Sequence, residues 1–138
     1  MYMHKKLVIF TDGGARGNPG PAGIGVAMFD ETGKTVMATH KKYIGEATNN
    51  VAEYSAVILA LEEAKKMGAE EINFFLDSEL VAKQLNGEYK VKNEELGRLF
   101  IKIYNLRQQF SKITFHHVVR EKNKLADKLV NEAIDEKN

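Results

Sequence analysis

The chain has 138 residues, 43% of them hydrophobic, with a net charge of +1 and no cysteine. That length supports one packed core and falls short of two ordinary domains, so a single domain spanning residues 1–138 is expected. Disulfides and thiolate metal sites are excluded, any metal must be held by carboxylate, imidazole or carbonyl groups, and the near-neutral charge does not by itself advertise a nucleic-acid binder.

Met1 to Lys6 is polar and leads into only a short apolar run, which argues against a signal peptide or a membrane span and for a cytoplasmic protein. Lys6 to Thr11 reads as a first strand, and its core of Leu7, Val8, Ile9 and Phe10 suits a central strand covered on both faces. The Gly- and Pro-dense stretch from Asp12 to Gly23 reads as a loop. Gly25 to Phe29 and Thr35 to Ile44 form two further strands around the turn Asp30-Glu31-Thr32-Gly33, completing an antiparallel meander. A helix is expected from Val51 to Met67, capped by Asn49 or Asn50 and stopped at Gly68. Ile72 to Leu76 is a fourth strand, followed by helices over Glu79–Leu85 and Asn93–Phe110. Ile113 to Val119 is a fifth strand, and Lys122 to Asp135 a last helix. The order βββαβααβα predicts an α/β fold with a mixed five-stranded sheet, three antiparallel strands then two parallel ones, flanked by helices.

Four carboxylates are the candidate chemistry. Asp12 follows the first strand, at the edge where open α/β sheets hold ligands, although Asp-Gly is also a turn signal. Glu53 aligns with Val57, Ala60, Ala64 and Met67 on the apolar side of its helix, where an ionised carboxylate needs a partner. A capping box with Asn50 competes for it. Asp77 ends the fourth strand, where a helix cap shared with Ser78 is the ordinary explanation. Asp127 lies at the margin of the last helix's apolar face, where a solvated Asp is the simpler account. Together they gain force, because the topology sets the ends of strands one and four side by side with a helix start near each. Such charges repel by roughly 4 kcal/mol per close pair, so protons or cations must neutralise the cluster. Two divalent ions suit displacement at phosphorus, and oxygen ligands favour Mg²⁺, with Mn²⁺ as a substitute.

Four stretches carry a family resemblance: Thr11-Asp12-Gly13-Gly14-Ala15-Arg16-Gly17-Asn18-Pro19-Gly20-Pro21, Thr48-Asn49-Asn50-Val51-Ala52-Glu53, Asp77-Ser78, and Asn123-Lys124-Leu125-Ala126-Asp127. In this order they resemble the motifs of ribonuclease H type 1, from Lys6 to the last helix. The resemblance implies hydrolysis of the RNA strand of an RNA–DNA hybrid with two Mg²⁺ ions, leaving a 5′-phosphate and a 3′-hydroxyl. Asp12 would bridge both ions, Glu53 and Asp77 would complete one shell, and Asp127 would hold the other ion. One ion would activate the attacking water while the other stabilises the leaving oxygen. Asn18, Asn49 and Asn50 match positions that contact the RNA around the cut, where an amide can both donate to and accept from a 2′-hydroxyl. Thr48 matches a position near a DNA phosphate, and Gly13 and Asn123 fall within the motifs as further substrate-site positions. A turn or cap is the competing account for Asn18 and Asn50.

The chain also departs from the pattern. Val118-Val119-Arg120-Glu121-Lys122 replaces a flexible loop that carries a histidine in well-known bacterial members, and Arg120 is a candidate to contact the scissile phosphate instead. His116 and His117 lie in the fifth strand, where alternation sends them to opposite faces and a structural role is preferred. Leu85 to Ile113 is too short for the family's basic protrusion, leaving Tyr89-Lys90-Val91-Lys92 as an aromatic and basic patch. This lean layout resembles minimal archaeal and bacterial forms and adds double-stranded RNA as a second candidate substrate. Neither a membrane nor a protein partner is indicated. The alternative is a non-catalytic module that binds A-form duplexes. A nucleotide-binding protein is a poor fit, because Gly23-Ile24-Gly25 lacks a third glycine and no P-loop Lys is present.

Overall fold

The computed structural model describes residues 5–138. Its strands are β1 (Lys6–Ala15), β2 (Gly20–Phe29), β3 (Val36–Ala47), β4 (Glu71–Leu76) and β5 (Lys112–His117). The helices are α1 (Asn49–Lys66), α2 (Glu79–Leu85), α3 (Glu94–Arg107) and α4 (Lys124–Glu136), with a single 3-10 turn at Arg120–Lys122 before α4. The sheet order is β3-β2-β1-β4-β5. β1 pairs antiparallel with β2 and parallel with β4, and β4 pairs parallel with β5, as the element order requires.

The main core lies on one side of the sheet, where Leu7, Ile9, Ile72, Phe74 and Leu76 meet Tyr54, Val57 and Leu61 of α1 and Ile103 of α3. α4 covers part of the other side, burying Ala126, Leu129, Val130, Ala133 and Ile134. Close approach there depends on two strand glycines: a Cβ on Gly25 would stand 2.4 Å from the Ala126 carbonyl oxygen, and one on Gly23 2.9 Å from that of Val130.

Three local expectations need correction. The stretch from Asp12 to Gly23 is not a loop, because β1 runs on to Ala15, β2 begins at Gly20, and Asp12 pairs with Gly25 inside the ladder. The cap of α1 is Thr48, whose hydroxyl accepts from the Val51 amide at 3.2 Å, in place of Asn49 or Asn50. β5 ends at His117, two residues early, because the chain turns through Arg120–Lys122 before α4 begins at Lys124. No helix among the described residues is long and apolar enough to cross a membrane.

Candidate active site

Each carboxylate is delivered by a different element. Asp12 projects from β1 one residue beyond Thr11, the last position paired with β4, and Asp77 follows the end of β4. Glu53 stands in the first turns of α1, brought in because that helix rests on Gly13, where a Cβ would lie 2.2 Å from the Ala52 carbonyl carbon. Any side chain at residue 13 would push the helix start, and Glu53 with it, away from β1.

The competing caps fall away. Thr48 as cap puts Glu53 outside any capping box, and Ser78 caps α2 by accepting from the Val81 amide at 3.2 Å, which frees Asp77. Carboxylate oxygens of Asp12, Glu53 and Asp77 lie within 4.8 Å of one another. Asp12 and Glu53 are buried, at 6% and 7% exposure. Asp127 is not part of this trio. It stands at the rim with its side chain 37% exposed, and one oxygen lies 3.7 Å from the Arg120 guanidinium.

Burial, reinforced by the charges of Asp77 and Asp127, raises the Asp12 carboxyl to about 7. Burial, then the charges of Asp12 and Asp77, pushes Glu53 well above the usual carboxylate range. The cluster therefore retains protons near neutral pH in the absence of a cation. Two buried carboxyl groups and the half-buried one of Asp77 form a hard, acidic oxygen-donor set that fits a divalent cation with oxygen preference.

A family model described as reverse transcriptase-like matches residues 10–133. The protein named Ribonuclease HI of Halobacterium salinarum is 41% identical over 127 residues, covering 92% of this chain and 63% of that protein. A solved structure of LC11-RNase H1 in complex with RNA/DNA hybrid matches with a TM-score of 0.91 and 48% identity, over 95% of this chain and 98% of that one. This chain belongs to the ribonuclease H type 1 family. The bifunctional protein Rv2228c of Mycobacterium tuberculosis is 46% identical over 130 residues, which is 94% of this chain but 36% of that protein. The chain thus spans about a third of that relative's length.

Around the trio, this ribonuclease H domain uses its amide side chains mostly on itself. Asn49 Oδ1 accepts from the Ala15 amide at 2.8 Å, and Asn18 Oδ1 accepts from the Asn49 amide at 3.0 Å. Both residues are exposed, and with their oxygens engaged their NH₂ groups remain as donors. Asn50 is half-buried, Thr48 is occupied as the cap, and the Gly13 amide donates to Asp12 Oδ1 at 3.0 Å.

Asn123 differs from its expected place among substrate contacts. It is buried to 1% exposure, and its Nδ2 donates to the Thr11 carbonyl at 2.9 Å and to Asp77 Oδ2 at 3.3 Å. Its geometry is that of a strut between β1 and Asp77, and its Oδ1 is buried without a partner.

A second strut is not among the residues that the motifs single out. Tyr54, next to Glu53, donates its hydroxyl to Gln84 Oε1 at 2.7 Å, joining α1 to α2 beneath the site. Burial raises the Tyr54 phenol to about 12, so it remains a donor. The readable signal was Gln84, an amide among the apolar residues Val81, Ala82 and Leu85 of a short helix.

Proposed function

We propose that the chain is a divalent-metal-dependent endonuclease that cuts the RNA strand of an RNA–DNA hybrid, giving a 5′-phosphate and a 3′-hydroxyl. The observation that carries this reading is the trio Asp12, Glu53 and Asp77, three carboxyl groups, the first two buried, gathered where their ionisation has a high electrostatic cost. Family membership and the hybrid bound to LC11-RNase H1 support it.

Asp12, Glu53 and Asp77 would hold one cation, and Asp12 with Asp127 would hold a second, Mg²⁺ or, in its place, Mn²⁺. Bound there, the cations would lower the pKa of the attacking water and offset charge on the leaving 3′-oxygen. The protein's own task is positional. Asn123 fixes Asp77 against β1, and Gly13 lets Glu53 approach Asp12. The free NH₂ groups of Asn18 and Asn49, with Asn50 beside them, would meet 2′-hydroxyls, by which RNA differs from DNA. Thr48 would sit near a phosphate of the DNA strand. Arg120, exposed beside Asp127, would exchange that carboxylate for the scissile phosphate when substrate arrives. Double-stranded RNA, which shares the A-like minor groove, is a second substrate under this reading, and the cytoplasm is the compartment it assigns.

A hybrid labelled on its RNA strand tests the proposal. Wild-type protein with Mg²⁺ should give RNA fragments with 5′-phosphates, while EDTA, Asp12→Asn and Glu53→Gln should each abolish cutting. Binding without cutting would replace the proposal with the non-catalytic duplex-binding module.

A further inference from the structure

The sheet face that carries Asp12 continues, away from α4, into a row of aromatic rings. Phe10 is opposite Phe75 in the register, and Phe75 is opposite His116. Their rings stack at 5.1 and 5.0 Å between centroids, with planes 20° and 24° apart. Phe29 closes the β2 end edge-on, at 5.5 Å and 74°. Phe10 and Phe75 are half-buried and Phe75 has a ring on either side, whereas His116 is exposed on the edge strand β5 with only one ring against it.

The imidazole is also held in orientation. Thr114 Oγ1 donates to Asn73 Oδ1 at 2.6 Å, so it accepts from His116 Nε2 at 2.9 Å. That assigns the proton to Nε2 and leaves Nδ1 as an acceptor. A solvated histidine filling an edge strand requires no such lock, and fixing an exposed side chain costs rotamer entropy. A flat aromatic surface presented in a fixed plane is what a stacking site needs.

We propose that His116 is a base-stacking subsite for an unpaired nucleotide flanking the cut, a role that rests on the hybrid-cutting reading. Its place relative to the carboxylates supports this. Asp12 lies two residues beyond Phe10 on the same strand, and Asp77 two beyond Phe75. Two strand residues and one strand spacing put the His116 backbone roughly 8 Å from that of Asp77, within reach of a neighbouring nucleotide. Bases inside a duplex already stack on each other, so only an unpaired base can extend the Phe10-Phe75-His116 row. The exposed Lys112, on the same face of β5, would meet a phosphate.

Two hybrids with the same duplex test the subsite in Mg²⁺, one blunt and one with a short tail of unpaired uridines, placed in turn at each end of the RNA strand. For one of the tailed hybrids, KM should fall by about fivefold or more relative to the blunt one, with kcat unchanged. His116→Ala should return that KM to the blunt value without altering blunt-hybrid kinetics, and His116→Phe should keep most of the gain. Equal KM for blunt and tailed hybrids in the wild type, or an equal rise for both in His116→Ala, would overturn the proposal. If no hybrid is cut, the function proposed above fails, and anisotropy of a labelled oligouridylate decides this one: weaker binding by His116→Ala supports the subsite, and equal binding removes it.

Discussion

Replacing Asp12 by Asn should make the metal-free protein more stable while removing its activity. The Asp12 carboxyl is raised from 3.8 to about 7 by burial and by the charges of Asp77 and Asp127. A carboxyl whose folded value lies above its unfolded value binds a proton more tightly in the native state. Below about pH 4 both states are protonated, and the contribution of this group to stability is complete. As pH rises towards 7 the unfolded chain ionises first, so stability falls, and above 7 the native state holds a buried charge at a cost of about 4 kcal/mol. Asn keeps the shape and can still accept from the Gly13 amide, so the variant should recover about 1–3 kcal/mol at pH 8 in EDTA, less at pH 5. For a chain of this size that is roughly 3–10 °C in Tm. Thermal unfolding followed by circular dichroism at both pH values reads the difference, and added Mg²⁺ should raise the wild-type Tm at pH 8 but not that of the variant. A variant no more stable than wild type at pH 8, or a wild-type stability in EDTA that does not fall between pH 5 and 8, would refute the electrostatic argument.

Gly13→Ala sets a methyl group within 2.2 Å of the α1 backbone. It should cost about 3 kcal/mol in urea unfolding and at least about a hundredfold in cleavage, whereas a near-native rate would show that α1 can shift without carrying Glu53 away. Asn123→Ala removes the tie from Thr11 to Asp77, and kcat should drop about tenfold or more with KM little changed; a rise confined to KM would assign Asn123 to substrate contact after all. Arg120→Ala should slow turnover, and an unchanged rate would remove Arg120 from the site.

Much of this was legible before any coordinates. Helical spacing gave the apolar stripe that marks Glu53, and four apolar residues in succession marked β1 as central, which brought Asp12 and Asp77 together. The extent of the β1–β2 hairpin was not legible, because Gly13, Gly23 and Gly25 look like loop residues until α1 and α4 are seen resting on their bare backbones. That is a demand of tertiary packing, and no local pattern carries it. The cap of α1 is not legible for a similar reason, since the Asn49 side chain is drawn across to the Ala15 amide and Thr48 caps in its place. The separation of Asp127 from the trio follows from where α4 begins, after a turn whose geometry the sequence does not announce. For His116, strand alternation gives the side but not the neighbours, and the stack on Phe75 depends on the β4–β5 register.

The most direct measurement is anomalous scattering from a crystal soaked in Mn²⁺. A peak bounded by the carboxylates of Asp12, Glu53 and Asp77 is predicted, with a second between Asp12 and Asp127 once a hybrid is bound. Ordered Mn²⁺ elsewhere on the protein, with none among those three side chains, would contradict the account.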